Sequence, residues 1–123
     1  ITSVGNDMNF DEIFSRQIEA IGSKADLAFG ISTSGDSANV IKGLKTARQM
    51  GMKTLAMTGG SGGKIFAEDL ADVILNVNNS SVSSRVQEAH IFIGHILIEL
   101  MDKILMTKSF LKSESFICFY ICF

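Results

Sequence analysis

Three short runs, Leu27-Ala28-Phe29-Gly30-Ile31, Lys53-Thr54-Leu55-Ala56-Met57-Thr58 and Asp72-Val73-Ile74-Leu75-Asn76-Val77, are separated by segments patterned for helices. The first is apolar without alternation, as expected of a strand buried on both faces, and the second reads the same way. Strands alternating with helices at this interval imply parallel βαβ units and a layered α/β sheet. In such a sheet, ligands bind beyond the carboxyl ends of the strands.

The intervening segments carry helical signals. Asn9 can cap a helix with Glu12 as its capping-box partner, and Phe10, Ile13, Phe14, Ile18 and Ile21 recur at helical spacing until Gly22. A second helix, from about Ser37 to Met50, has Val40, Ile41, Leu44, Ala47 and Met50 on one side and ends at Gly51. A short helix spans Lys64 to Leu70. A long one runs from about Ser84 to Met106, ~34 Å at the ideal rise, and is apolar almost all round, so a subunit interface is its natural partner. Set into it are Gln87, Glu88, His90, His95 and Glu99, polar groups whose burial needs partners or a function. Ile1 to Asp7 reads as the end of a strand running into a loop, an entry into the middle of a fold.

The junction Gly30-Ile31-Ser32-Thr33-Ser34-Gly35-Asp36-Ser37-Ala38 is the strongest candidate site. The first N–H groups of the following helix lack internal partners, and its dipole favours negative charge there. Ser32, Thr33, Ser34 and Ser37 add hydroxyl donors, and Gly35 allows a tight turn and close backbone approach. No lysine lies in the turn, so it is not a Walker-type loop, and a monoester such as a sugar phosphate fits better. On spacing alone, a serine-rich turn with an N-cap at Ser37 and no ligand fits equally well. Gly59-Gly60-Ser61-Gly62-Gly63 lacks the G-x-G-x-x-G spacing and reads as a mobile βα connection.

Composition narrows the partners. With 46% hydrophobic and 20% charged residues the 123-residue chain reads as one globular domain, and its net charge of −2 comes from interspersed charges, with no nucleic-acid footprint. No segment approaches the roughly 20 apolar residues of a membrane span, and no signal pattern opens the chain, so the expected compartment is the cytoplasm. Both cysteines, Cys118 and Cys122, fall in the last six residues, giving no disulfide framework. Phe116 to Phe123 is an uncharged, strand-prone octapeptide that reads as a hydrophobic, aggregation-prone tail in preference to a Cys-x-x-x-Cys metal site.

Taken together, Gly5-Asn6-Asp7, Phe14-Ser15-Arg16-Gln17, Gly30 to Ser37 and Arg85-Val86-Gln87-Glu88-Ala89-His90-Ile91 resemble the sugar isomerase (SIS) domain family, and within it the phosphoheptose isomerase branch. The resemblance runs from Ile1 to about Met106, a partial SIS domain, and leaves 107–123 as a tail outside the family. It implies a three-layer, flavodoxin-like parallel sheet with flanking helices, incomplete at the N-terminus. Complete members carry N-terminal helices, a first strand with an Asn-Gly-Gly-Ser-type loop, and a helix bearing a His and a Glu, none of which precedes Ile1. The implied activity is aldose–ketose isomerisation of sedoheptulose 7-phosphate to glycero-manno-heptose 7-phosphate, for the heptose of surface polysaccharides, in a homotetramer with shared active sites.

By the same resemblance, Asn6 and Asp7 contact substrate, and Ser32, Thr33, Ser34 and Ser37 form the phosphate- and sugar-binding turn. Gln87 binds substrate and, with His95, zinc, one ion per site; His95 is also the catalytic histidine. Without the family match His95 would read as a core imidazole bonded to a backbone carbonyl, and His90, ~140° around the helix, is assigned to packing or an interface. Gln87 and His95 stand ~12 Å apart along an ideal helix, far for one ion, unless the helix begins later than Ser84. The alternatives are a non-catalytic SIS module binding sugar phosphates or a protein, as in the replication-initiator-associating relative, and an inactive fragment. The former carries a non-basic residue where this chain has His95.

Overall fold

The computed structural model describes residues 1–108 and 118–122. Its centre is a parallel sheet of β1 (Leu27–Ile31), β2 (Lys53–Gly59), β3 (Val73–Val77) and β4 (Cys118–Cys122), in the spatial order β3-β2-β1-β4. Between and around the strands lie α1 (Thr2–Asp7), a 3-10 turn (Phe10–Glu12), α2 (Ile13–Ile21), α3 (Ala38–Gln49), α4 (Gly63–Ala67) and α5 (Ser83–Lys108). The expected three-layer parallel α/β fold is what forms.

Right-handed crossovers decide which helix covers which face. Moving from β1 through β2 to β3, the chain steps repeatedly in one direction, so α3 and α4 fall on the same face, beside α2. There Ile13, Phe14, Ile18, Val40, Leu44 and Ile65 close over Ala28 and Ala56 in one buried cluster. The connection from β3 to β4 returns across the sheet, which carries α5 to the opposite face, where Val86 packs against Gly59. The register of β2 on β3 begins at a reciprocal pair: the Asp72 carboxylate accepts from Thr54 N–H at 2.8 Å, and Asp72 N–H donates to Thr54 Oγ1 at 2.9 Å.

Three expectations are corrected. Residues 2–7 are helical and not a strand end, because Val4 packs onto the core and Gly5 lies over Phe10 and Ile13, a contact only a coiled segment supplies. The Asn9 side chain does cap, accepting from Asp11 N–H at 3.1 Å, but Glu12 does not reach back to close a capping box. Its carboxylate bonds Ser15 and Lys42 instead, tying the 3-10 turn to α3. The long helix begins at Ser83, so a later start does not relieve the spacing between Gln87 and His95. Of the expected tail, 107–108 continue α5 and 118–122 form β4 beside β1, while 109–117 and 123 lie outside the described residues.

Candidate functional site

β1 ends at Ile31, and the chain turns at the carboxyl edge of the sheet through Ser32 to Ser37 before entering α3. Ser32 is fully buried: its hydroxyl accepts from Gly35 N–H at 3.0 Å and shares a 2.9 Å hydrogen bond with Ser37 Oγ. Ser37 occupies the N-cap position of α3 yet makes no side-chain cap, since its hydroxyl is turned to Ser32. Asn39, buried at the second position of α3, uses its Oδ1 on Val40 N–H at 2.8 Å. Among the described residues no acceptor meets the N–H groups of Ala38 and Asn39, the condition under which a helix start holds an anion. Thr33 and Ser37 are half-buried and Ser34 is exposed, so three hydroxyls border those donors.

The glycine-rich connection after β2 lies directly against this turn. Gly35 and Gly63 both have positive φ, 73° and 54°, and a Cβ on Gly35 would overlap the Gly62 carbonyl. Only residues without side chains let two backbones meet this closely. Gly35 O accepts from Ile65 N–H at 3.0 Å, and the Asp36 carboxylate accepts from Lys64 N–H at 2.9 Å. On its other side the connection is held by Asn76, whose Nδ2 donates to Gly60 O at 3.1 Å. The segment expected to be a mobile link is thus tied at both ends to the edge of the sheet.

α5 approaches the same edge. A Cβ on Gly59 would lie 2.7 Å from Thr33 O and still closer to Val86, so the first turn of α5 stands beside the Ser/Thr turn; Gln87, the next residue of the helix, is exposed. One turn on, His90 is 3% exposed and its Nε2 lies 2.9 Å from Thr58 O. A carbonyl only accepts, so Nε2 donates, while Nδ1 is buried and without a partner among the described residues. His90 is the packing histidine, with the backbone-carbonyl bond that a core imidazole needs. His95 is exposed, and no residue of α5 from Ile91 to Thr107 is buried.

Asn6 and Asp7 are exposed on α1 and bond each other, Asn6 Nδ2 to Asp7 Oδ1 at 2.7 Å. α2 runs down to the start of β1, so its first residues, the 3-10 turn and α1 stand at the carboxyl end of the sheet, the end that carries the Ser/Thr turn. There Lys42 donates to Glu12, and that hydrogen bond, helped by Ser15, holds the Glu12 carboxyl below its ordinary value of 4.5. The structure thus brings Ser32, Thr33, Ser34 and Ser37 into one turn and sets Val86, the neighbour of Gln87, close to it, whereas His95 lies eight positions beyond Gln87 along α5. Gln87 and His95 sit on one continuous helix about 12 Å apart by its rise, and among the described residues no three His, Cys, Asp or Glu side chains gather around a metal position.

Comparison with known proteins is consistent with this geometry. Residues 1–59 match the family model described as the SIS domain. A phosphoheptose isomerase of Shigella dysenteriae is 50% identical over 103 residues, 84% of this chain and 53% of that protein. One from Chlorobaculum parvum is 48% identical over 105 residues, 85% of this chain and 49% of that protein. Among solved structures, a phosphoheptose isomerase from Neisseria gonorrhoeae superimposes with a TM-score of 0.75 at 44% identity, covering 80% of this chain and 55% of its own. That of Francisella tularensis gives 0.77 at 38% identity, covering 84% and 56%. The chain spans about half the length of the relatives it matches.

Proposed function

We propose that this chain is a member of the SIS-domain family and that it supplies the phosphate-binding turn and the proton-transfer histidine of an aldose–ketose isomerase acting on sedoheptulose 7-phosphate. The observation that carries the reading is Ser37, which stands at the N-cap of α3 without capping it. The donors of Ala38 and Asn39 are left to the phosphate, with Thr33, Ser34 and Ser37 hydroxyls around them and Ser32 bracing the turn from beneath. Asn6, Asp7 and Gln87 contact the sugar.

Isomerisation of the ketose removes a proton from C1, leaves an enediol across C1 and C2, and returns a proton to C2 while the O2–H and O1–H bonds exchange. An imidazole can take and return that proton, and His95 is the one assigned to it. Zinc, if bound, would polarise the sugar carbonyl. His95 would give one ligand, and the described residues do not complete the set, so no step is assigned to the ion.

The exposed apolar length of α5 supports a homo-oligomer, a tetramer by the family resemblance, in which a second copy covers that face. The compartment proposed is the cytoplasm; among the described residues no helix is long and apolar enough to cross a membrane.

The test is sedoheptulose 7-phosphate turnover by the purified chain, with and without added zinc, alongside His95→Ala, Ser34→Ala and Ser37→Ala. His95→Ala is expected to abolish turnover and keep sugar-phosphate binding, while either serine variant weakens binding several-fold. Turnover that survives His95→Ala removes the proton-transfer role. Binding without turnover by the unmodified chain replaces the isomerase with a sugar-phosphate-binding module.

A further inference from the structure

We infer that Asp36 is a positioning residue for the phosphate turn: its carboxylate caps α4 from outside that helix and so holds the two loops at the carboxyl edge in one shape. The inference deepens the anion reading of Ser32 to Ser37 and rests on it.

The cap residue that α4 should provide for itself is Gly62, which has no side chain to use. Both of the first acceptors of α4 come instead from the turn after β1, Asp36 Oδ1 for Lys64 N–H and Gly35 O for Ile65 N–H. The fit leaves little slack, since a Cβ on Gly63 would fall 2.8 Å from Asp36 Cγ. At its other end Asp36 donates its own N–H to Ser34 Oγ at 3.1 Å. With that oxygen accepting, the Ser34 O–H remains to donate to a ligand. One residue thus links the hydroxyl offered to phosphate with the helix behind it.

Charge makes the assignment decidable. A carboxylate in a turn that receives a phosphate dianion opposes binding if it only contributes its field, whereas one engaged at the start of α4 stabilises the binding shape. Removing Asp36 therefore changes affinity in opposite directions under the two accounts.

The experiment titrates the 123-residue chain with sedoheptulose 7-phosphate and with inorganic phosphate by calorimetry, and measures amide exchange at Lys64 and Ile65 without ligand. Asp36→Ala is expected to bind roughly tenfold more weakly and to exchange both amides roughly tenfold faster, the size of a lost cap. Asp36→Asn, which keeps the Oδ1 acceptor, stays within about threefold of the unmodified chain in both readouts. Should Asp36→Ala not fold, Asp36→Ser, whose shorter arm does not span to Lys64, takes its place with the same expectation. Binding by Asp36→Ala that equals or exceeds that of the unmodified chain overturns the positioning role alone, as does exchange that does not change. Failure of the unmodified chain to bind either ligand removes the anion reading, and the positioning role with it.

Discussion

Asp72 shows at the scale of one residue how a side chain sets sheet register and pH response together. Its carboxyl is held below the ordinary value of 3.8, first by the backbone N–H of Thr54 and then by that residue's hydroxyl, with Lys53 and Arg48 adding to it. A carboxyl depressed on folding contributes stability that is fully present above its unfolded value and is lost as pH falls through the folded one. Unfolding followed from pH 6 to pH 3 should therefore show a loss of stability below about pH 4 that is shallower in Asp72→Asn. An acid limb of equal slope in the two proteins would mean that the pair sets register without responding to pH. The same scale shows what one sequence cannot display. Ser37 is visible as a cap candidate, but the direction of its hydroxyl depends on a buried Ser32 that is five positions away. The bond from Asp36 to Lys64 joins residues 28 apart, and no local pattern announces it.

At the scale of elements, β1, β2 and β3 were legible within a residue or so because unbroken apolar runs bounded by turn residues leave little choice. α1 was not, since Ile1, Thr2 and Val4 favour strands locally and helix wins only through packing of Val4 and Gly5 on the core. α5 was legible in extent, and its two histidines divide by depth. His90 sits one turn beyond the buried Val86, on the stripe that meets the sheet, while His95 lies past the last buried residue of the helix. His90→Ala removes a buried ring and its bond to Thr58 O, and is expected to cost about 2–4 kcal/mol in denaturant unfolding. His95→Ala should change stability by no more than about 0.5 kcal/mol. Equal costs would contradict the division into one packing and one solvent-facing histidine.

The whole molecule is an α/β sheet whose carboxyl edge is built by neighbouring crossovers and whose last helix is buried only at Val86 and His90 among its described side chains. Phe92, Ile96, Leu100 and Ile104 stand exposed along that helix, Phe92 to 67%. An apolar surface of this length favours association, so the chain should sediment as an oligomer and Phe92→Glu with Ile96→Glu should shift it toward monomer. A monomeric unmodified chain would remove the second copy from the proposal.

The pairing of β4 with β1 bears on how the sheet is assembled. β1, β2 and β3 join partners that are close in sequence, whereas Leu27 meets Cys118 about ninety positions later, the costliest loop in the chain to close. Local βα units fold ahead of such a contact, so among the described strands β4 is the last to be paired. An edge of β1 that stood unpaired before residues 118–122 dock would be a template for another strand, and so a point where misassembly could start.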